Sequence, residues 1–168
     1  MQLLERFHIR ESALQNYLKA YPILLHPSYK IVNSQVRLGA EYVADFVIET
    51  YDGNYTLVEI EKPTDRLYLL NGDPSSALTH AEQQVLDWQG WIRQNIAYLR
   101  YEANLVMNTP QGLVIIGQRL QMNTDEIRRL NERNLNMRGR LQIITFDDLS
   151  LRFSQLIHNM EQVNAAAV

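Results

Sequence analysis

The stretch "YVADFVIETYDGNYTLVEIEKP", residues 42–63, decides the fold. Its halves, "YVADFVIETY" and "NYTLVEIEK", are rich in β-branched and aromatic residues and predict two strands. The "DGN" between them is a hairpin signal. In the second strand, Glu59 and Glu61 are two residues apart and share one sheet face. Like charges on one face repel. Either that face opens to water, or a positive charge sits between the carboxylates.

Asp45, on the first strand, joins or leaves this pair according to hairpin register. A two-residue loop, Asp52-Gly53, sets Asp45 opposite Ile60 and turns it away from both glutamates. A three-residue loop, Asp52-Gly53-Asn54, pairs Tyr51 with Tyr55 and sets Asp45 opposite Glu61. A slip of one residue moves every side chain to the other face. The three-residue loop, with Gly53 or Asn54 left-handed, is the expectation, because it gathers three carboxylates. Three such groups can hold a hard divalent cation. Without metal they repel, so Asp45→Asn is expected to melt above the wild type.

Outward from the hairpin, "ESALQNYLKAYPILL" reads as a helix stopped by Pro22, with Ser12 and Gln15 spaced as a capping box. "YKIVNSQVRLGAE" is a first, irregular strand. "SALTHAEQQVLDWQGWIRQNIAYLRYE" reads as one long helix with Leu78, Ala81, Val85, Trp88 and Ile92 in its stripe. "GLVIIG" is a buried strand, "NTDEIRRLNERNLNM" a helix capped by Asn123 or Thr124, and "RLQIITF" a last strand. A final helix follows, entered through Asp147 or Asp148. The order predicts a mixed sheet with helices on its faces.

The 168 residues, 46% hydrophobic, suit one domain spanning 1–168 with a sizeable core. The absence of cysteine excludes disulfides and thiolate metal sites and fits a cytoplasmic protein. No apolar run approaches ~18 residues, so no membrane span is expected. The net charge of -3 argues against indiscriminate coating of nucleic acid. Residues 119–140 carry six arginines and three acids, which reads as an ordinary solvated helix.

The pattern D-x13-E-x-E-K after an N-terminal helix resembles the PD-(D/E)XK nucleases, whose core order αβββαβ it shares. Here that core carries an added αβα-type C-terminal extension. Glu61 stands at the family's lysine position, and Lys62 follows it. The segments "ESALQNYLKAYPILL", "ADFVIETYDGNYTLVEIEKP", "GDPSSALTHAEQQVLDWQGWI", "GLVIIG" and "ITFDDLSLRF", in this order, are similar to the nuclease domain of Shedu-type antiphage proteins. The resemblance implies a restriction-endonuclease-like α/β fold. It also implies a DNA endonuclease using Mg²⁺, with Mn²⁺ as substitute, and a homo-oligomer in bacterial defence. The rival readings are a degenerate nuclease fold that only binds nucleic acid, and an oligomerisation module.

Carried over by position, Asp45 and Glu59 are expected metal ligands, with the Ile60 carbonyl as a third oxygen. Glu61 is expected near the attacking water, as ligand or base. Gln84, with Trp88 one turn on, resembles a glutamine motif of related nucleases and would orient a ligand or phosphate. Glu11, Lys62 and His80 are secondary candidates. Each has a plainer reading: Glu11 as a helix-start residue, Lys62 on the opposite strand face, His80 as a polar residue flanking a helix. Asp147 and Asp148 read as helix caps, outside the site.

Overall fold

The computed structural model describes residues 11–166. Helix α1, Glu11–Ala20, leads through a 3-10 turn, Pro22–Leu24, into β1, Tyr29–Leu38. Strands β2, Tyr42–Thr50, and β3, Tyr55–Ile60, follow. Then come α2, Ser76–Gln94, α3, Ile96–Tyr101, and β4, Gln111–Ile115. The chain ends with α4, Thr124–Asn136, β5, Leu141–Ile144, and α5, Phe146–Ala166. The first six main elements run αβββαβ if the short α3 is set aside, and α4, β5 and α5 form the expected extension.

The five strands form one sheet in the order β1-β2-β3-β4-β5. β1, β2 and β3 are antiparallel neighbours, whereas β3, β4 and β5 run parallel. The hairpin makes the first half local, and the parallel half needs helical crossovers. Both faces are covered. Leu57 and Val47 pack with Ala81, Val85 and Trp88 of α2 and Leu130 of α4. On the other face Phe46, Ile48, Val58 and Ile60 pack with Leu14 and Leu18 of α1 and Phe146 and Leu149 of α5. β3 and β4 are accordingly near-continuous apolar runs, as a sheet buried on both sides requires.

Three sequence expectations are corrected. The long helix breaks at Asn95, whose side chain donates to the Trp91 carbonyl at 2.8 Å and whose N–H bonds Ile92. That local bonding replaces the helical ladder and separates α2 from α3. Gln15 does not close a capping box but reaches Asp45. Asp147 accepts the N–H groups of Arg119 and Leu120, so it caps a neighbouring turn. Asp148 does serve α5: it accepts the Thr145 N–H at 3.1 Å and also pairs with Arg119.

Candidate functional site

The hairpin loop has three residues, as expected, but begins one residue earlier. Gly53 N–H donates to Thr50 C=O and Thr50 N–H to Asn54 C=O, each at 3.0 Å, so Tyr51, Asp52 and Gly53 form the loop. Gly53 has φ +79°, the left-handed residue that follows a type I turn in such loops. The Thr50 hydroxyl and the Asn54 amide both bond Asp52, which fixes this choice. Tyr51 therefore does not pair with Tyr55; Glu49 does, and Val47 pairs with Leu57. The shift is two residues, so it preserves faces. The ladder ends at Phe46↔Val58, and its register extended by one step points Asp45 toward Glu59 instead of Glu61.

The backbone ladder between β2 and β3 stops at Phe46↔Val58. Asp45 continues it with its side chain: Oδ2 accepts the Ile60 N–H at 2.9 Å. Its Oδ1 accepts from Gln15 Nε2 at 2.8 Å and from Gln35 Nε2 at 2.9 Å. Gln35 sits in β1 with φ +53°, a left-handed conformation uncommon outside glycine and asparagine. Such strain persists where the surroundings demand it, and clusters at functional sites. Here it aims an amide at the carboxylate. Neither glutamine was identifiable from sequence, because an amide within an ordinary helix or strand pattern carries no spacing signal.

Glu59 lies on the α2 side of β3 by alternation and is only 8% exposed. A carboxylate so buried must be paired, and none of Asp45, Glu59 and Glu61 is a free group. Glu61 lies just past β3, but its N–H still bonds Ile115 C=O at 2.9 Å. The parallel ladder from Thr56 to Ile60 has no register shift, so strand alternation carries Glu61 to the Glu59 face. Lys62 is exposed. Its C=O accepts from Gly117 and its N–H meets Asp65, so its backbone is pinned.

Alternation gives Glu59 and Glu61 the α2 face, whereas Asp45 is held by Gln15 of α1, which packs on the other face, and Ala44 before it belongs to the α2-side core. Among the described residues no group of three or more His, Asp or Glu is arranged to hold a metal ion. Gln84 is half-buried beside the α2 stripe, and His80 is exposed one turn before it. Neither side chain hydrogen-bonds to a described residue. Glu11 opens α1, but its side chain lies outside the described residues.

Two buried polar residues of α2 were missed by sequence reasoning. Glu82 forms a two-pronged ion pair with Arg133 of α4. Gln89 donates to the carbonyls of Pro110 and Arg140 at 3.0 and 2.8 Å, tying α2 to the starts of both β4 and β5. Half of the six arginines of 119–140 are paired with described acids: Arg119 with Asp148, Arg128 with Glu132, and Arg133 with Glu82. No helix among the described residues is long and apolar enough to cross a membrane.

Among solved structures, a repair endonuclease from Pyrococcus abyssi shares 13% identity over 84% of this chain and 49% of that one, with a TM-score of 0.47. EndoMS in complex with double-stranded DNA shares 12% over 84% and 48%, with a TM-score of 0.44. EndoMS in its apo form shares 16% over 82% and 47%, with a TM-score of 0.37. The chain spans about half the length of these structures, and likenesses at such scores carry no weight for its chemistry. No curated protein matches the sequence. The family described as "Shedu protein SduA, C-terminal" matches residues 8–150, most of the chain. With that match extending from before α1 into α5 and covering the hairpin, the chain belongs to the Shedu SduA C-terminal family.

Proposed function

We propose that the chain is a nuclease that hydrolyses DNA phosphodiester bonds with a divalent metal, in the bacterial cytoplasm and in defence against phage. The observation that supports this reading is Asp45 accepting the Ile60 N–H, one residue along β3 from Glu59, where β2 and β3 stop pairing. Two carboxylates on adjacent strands, at the end of their ladder, form a hard-oxygen donor set. Mg²⁺ is commonly held by one or two carboxylates, with waters and substrate phosphate completing its shell, so the set fits Mg²⁺, and Mn²⁺ as its substitute.

When bound, the ion supplies charge stabilisation on the phosphate and a more acidic water. The chain's own residues do the rest. A carboxylate has about four lone-pair sites, and three on Asp45 accept N–H groups, which fixes its plane. In a strand the N–H and C=O of one residue point to the same side. The Ile60 carbonyl therefore borders Asp45 and is the third oxygen. Glu61 accepts a proton from the attacking water. Gln84 and Lys62 contact the substrate strand, and the homo-oligomer extends that contact.

The test is a plasmid-nicking assay with Mg²⁺, Mn²⁺ or EDTA, for wild type, Asp45→Asn and Glu59→Gln. Metal-dependent nicking lost in both variants is the expected result. A second reading, a fold that binds nucleic acid without cutting it, draws on the lack of a three-ligand cluster among the described residues. Binding without nicking under every metal condition would favour it.

A further inference from the structure

We infer that the chain has a second ligand site, a pocket for a free nucleotide on the sheet face opposite Glu59. A cavity of about 530 Å³ lies between the start of β3, β4 and β5, the 3-10 turn after α1, and α5. That volume is in the usual range for small-molecule sites, ~300–1,000 Å³.

Its floor carries three polar side chains, one on each of three adjacent strands. Thr56 pairs with Gln111, and Gln142 of β5 lies beside Leu113 of β4. All three fall on the face of Val58, Leu113 and Ile144 by alternation, where the neighbouring positions are core. None of the three side chains hydrogen-bonds to a described residue. Strands lie ~4.8 Å apart and Gln142 is offset from Gln111 by two residues along its strand, so the three offer donors and acceptors on a diagonal across the floor. Glutamine amides are well suited to this, presenting one donor and one acceptor side by side to a base edge.

The walls supply what the rest of a nucleotide requires. Phe153 of α5 lines the cavity with an aromatic face on which a base can stack. Arg152, beside it, and His26, across the cavity, are its ionisable lining residues. None of the described lining residues is acidic, although the chain carries a net charge of -3. Arg152 is in no ion pair with a described residue, unlike Arg119, Arg128 and Arg133. An uncommitted guanidinium at the mouth of an acid-free cavity is a phosphate partner. Base-reading amides, a stacking ring and a phosphate-binding arginine together select a nucleoside monophosphate over a bare anion.

The test uses thermal shift and titration calorimetry with AMP, GMP, adenosine and inorganic phosphate. A saturable response to at least one mononucleotide is expected, at least tenfold tighter than to phosphate or adenosine. Arg152→Glu, at an exposed position, should abolish it while keeping the fold by circular dichroism. Gln142→Leu should weaken the mononucleotide but leave phosphate binding unchanged. Asp45→Asn should bind as the wild type does, which separates this pocket from the proposed nuclease site. No response to either mononucleotide at millimolar concentration overturns the inference, as does an undiminished response in Arg152→Glu. Binding of a 5′-phosphorylated oligonucleotide but of no mononucleotide would assign the surface to a strand and overturn it too.

Discussion

The Ile60 N–H donates to Asp45 Oδ2 at 2.9 Å, so a side chain stands where the β2–β3 ladder would next place a backbone carbonyl. This alters the expectation from charge alone, that removing one acid relieves repulsion. Asp45 accepts three N–H groups, two of them from glutamines. Asparagine can keep its oxygen toward Ile60 only by presenting its NH₂ to those glutamines, which must then flip. The charge-assisted character is lost as well, and such bonds exceed neutral ones by about 1 kcal/mol. Asp45→Asn is therefore expected to be about 1–2 kcal/mol less stable than wild type in metal-free urea unfolding. A more stable variant would mean that repulsion dominates.

The pair Glu61 and Lys62 separates two chemistries. If Glu61 accepts the proton of the attacking water, Glu61→Gln should lower metal-dependent nicking by about a hundredfold or more. Lys62→Ala should mainly reduce DNA affinity, with a shallower salt dependence. Dead Lys62→Ala beside active Glu61→Gln, at equal fold content, would reverse the assignment.

The ion pair between buried Glu82 and half-buried Arg133 couples α2 to α4. Hydrogen bonding to Glu82 raises the Arg133 pKa above its usual value, so the guanidinium stays charged at any working pH. Glu82→Ala removes a charge-assisted bond from Arg133, whose side chain is 31% exposed and can turn to water, so it should cost about 1–3 kcal/mol in chemical denaturation. The double variant Glu82→Leu with Arg133→Met should recover most of that loss. A single variant within 1 kcal/mol of wild type would show that water reaches the pair.

Acid should find a weak point at Asp148. Burial raises its pKa, but the Arg119 guanidinium and the Thr145 N–H outweigh this and hold it below the ordinary carboxylate value. A depressed folded pKa contributes stability above the unfolded value, near 3.9, that is lost as pH falls through the folded value. Wild type should therefore lose stability below about pH 4, and Asp148→Asn should show a shallower acid limb with lower stability at pH 7. Parallel curves for the two proteins would place the acid sensitivity elsewhere.

Much of this architecture was legible because period and punctuation agreed. The "DGN" turn lies between two β-rich runs, and its loop length was read correctly. Its starting residue was not, because Gly53 and Asn54 can both be left-handed and only the Thr50–Asp52–Asn54 contacts decide between them. Asn95 hid the end of α2 because the apolar stripe ran on past it toward Leu99. Glu82 and Gln89 were invisible for the opposite reason: charged and amide residues read as surface, and only tertiary partners make them interior. The glutamines on Asp45 belong to the same class, since their role exists only once α1 and β1 meet β2.

The hairpin has a consequence for how the chain folds. Asp45 and Ile60 lie fifteen residues apart and meet through a three-residue loop, whereas β4 joins β3 only after α2 and α3 have been traversed. Local pairings form before distant ones, because closing a long loop costs entropy before contacts return it. The Asp45–Glu59 arrangement should thus be an early product of folding, present in a nascent chain whose parallel half has not emerged. In pulse-labelled exchange, the amides of Val58 and Ile60 should gain protection before those of Val114 and Ile143.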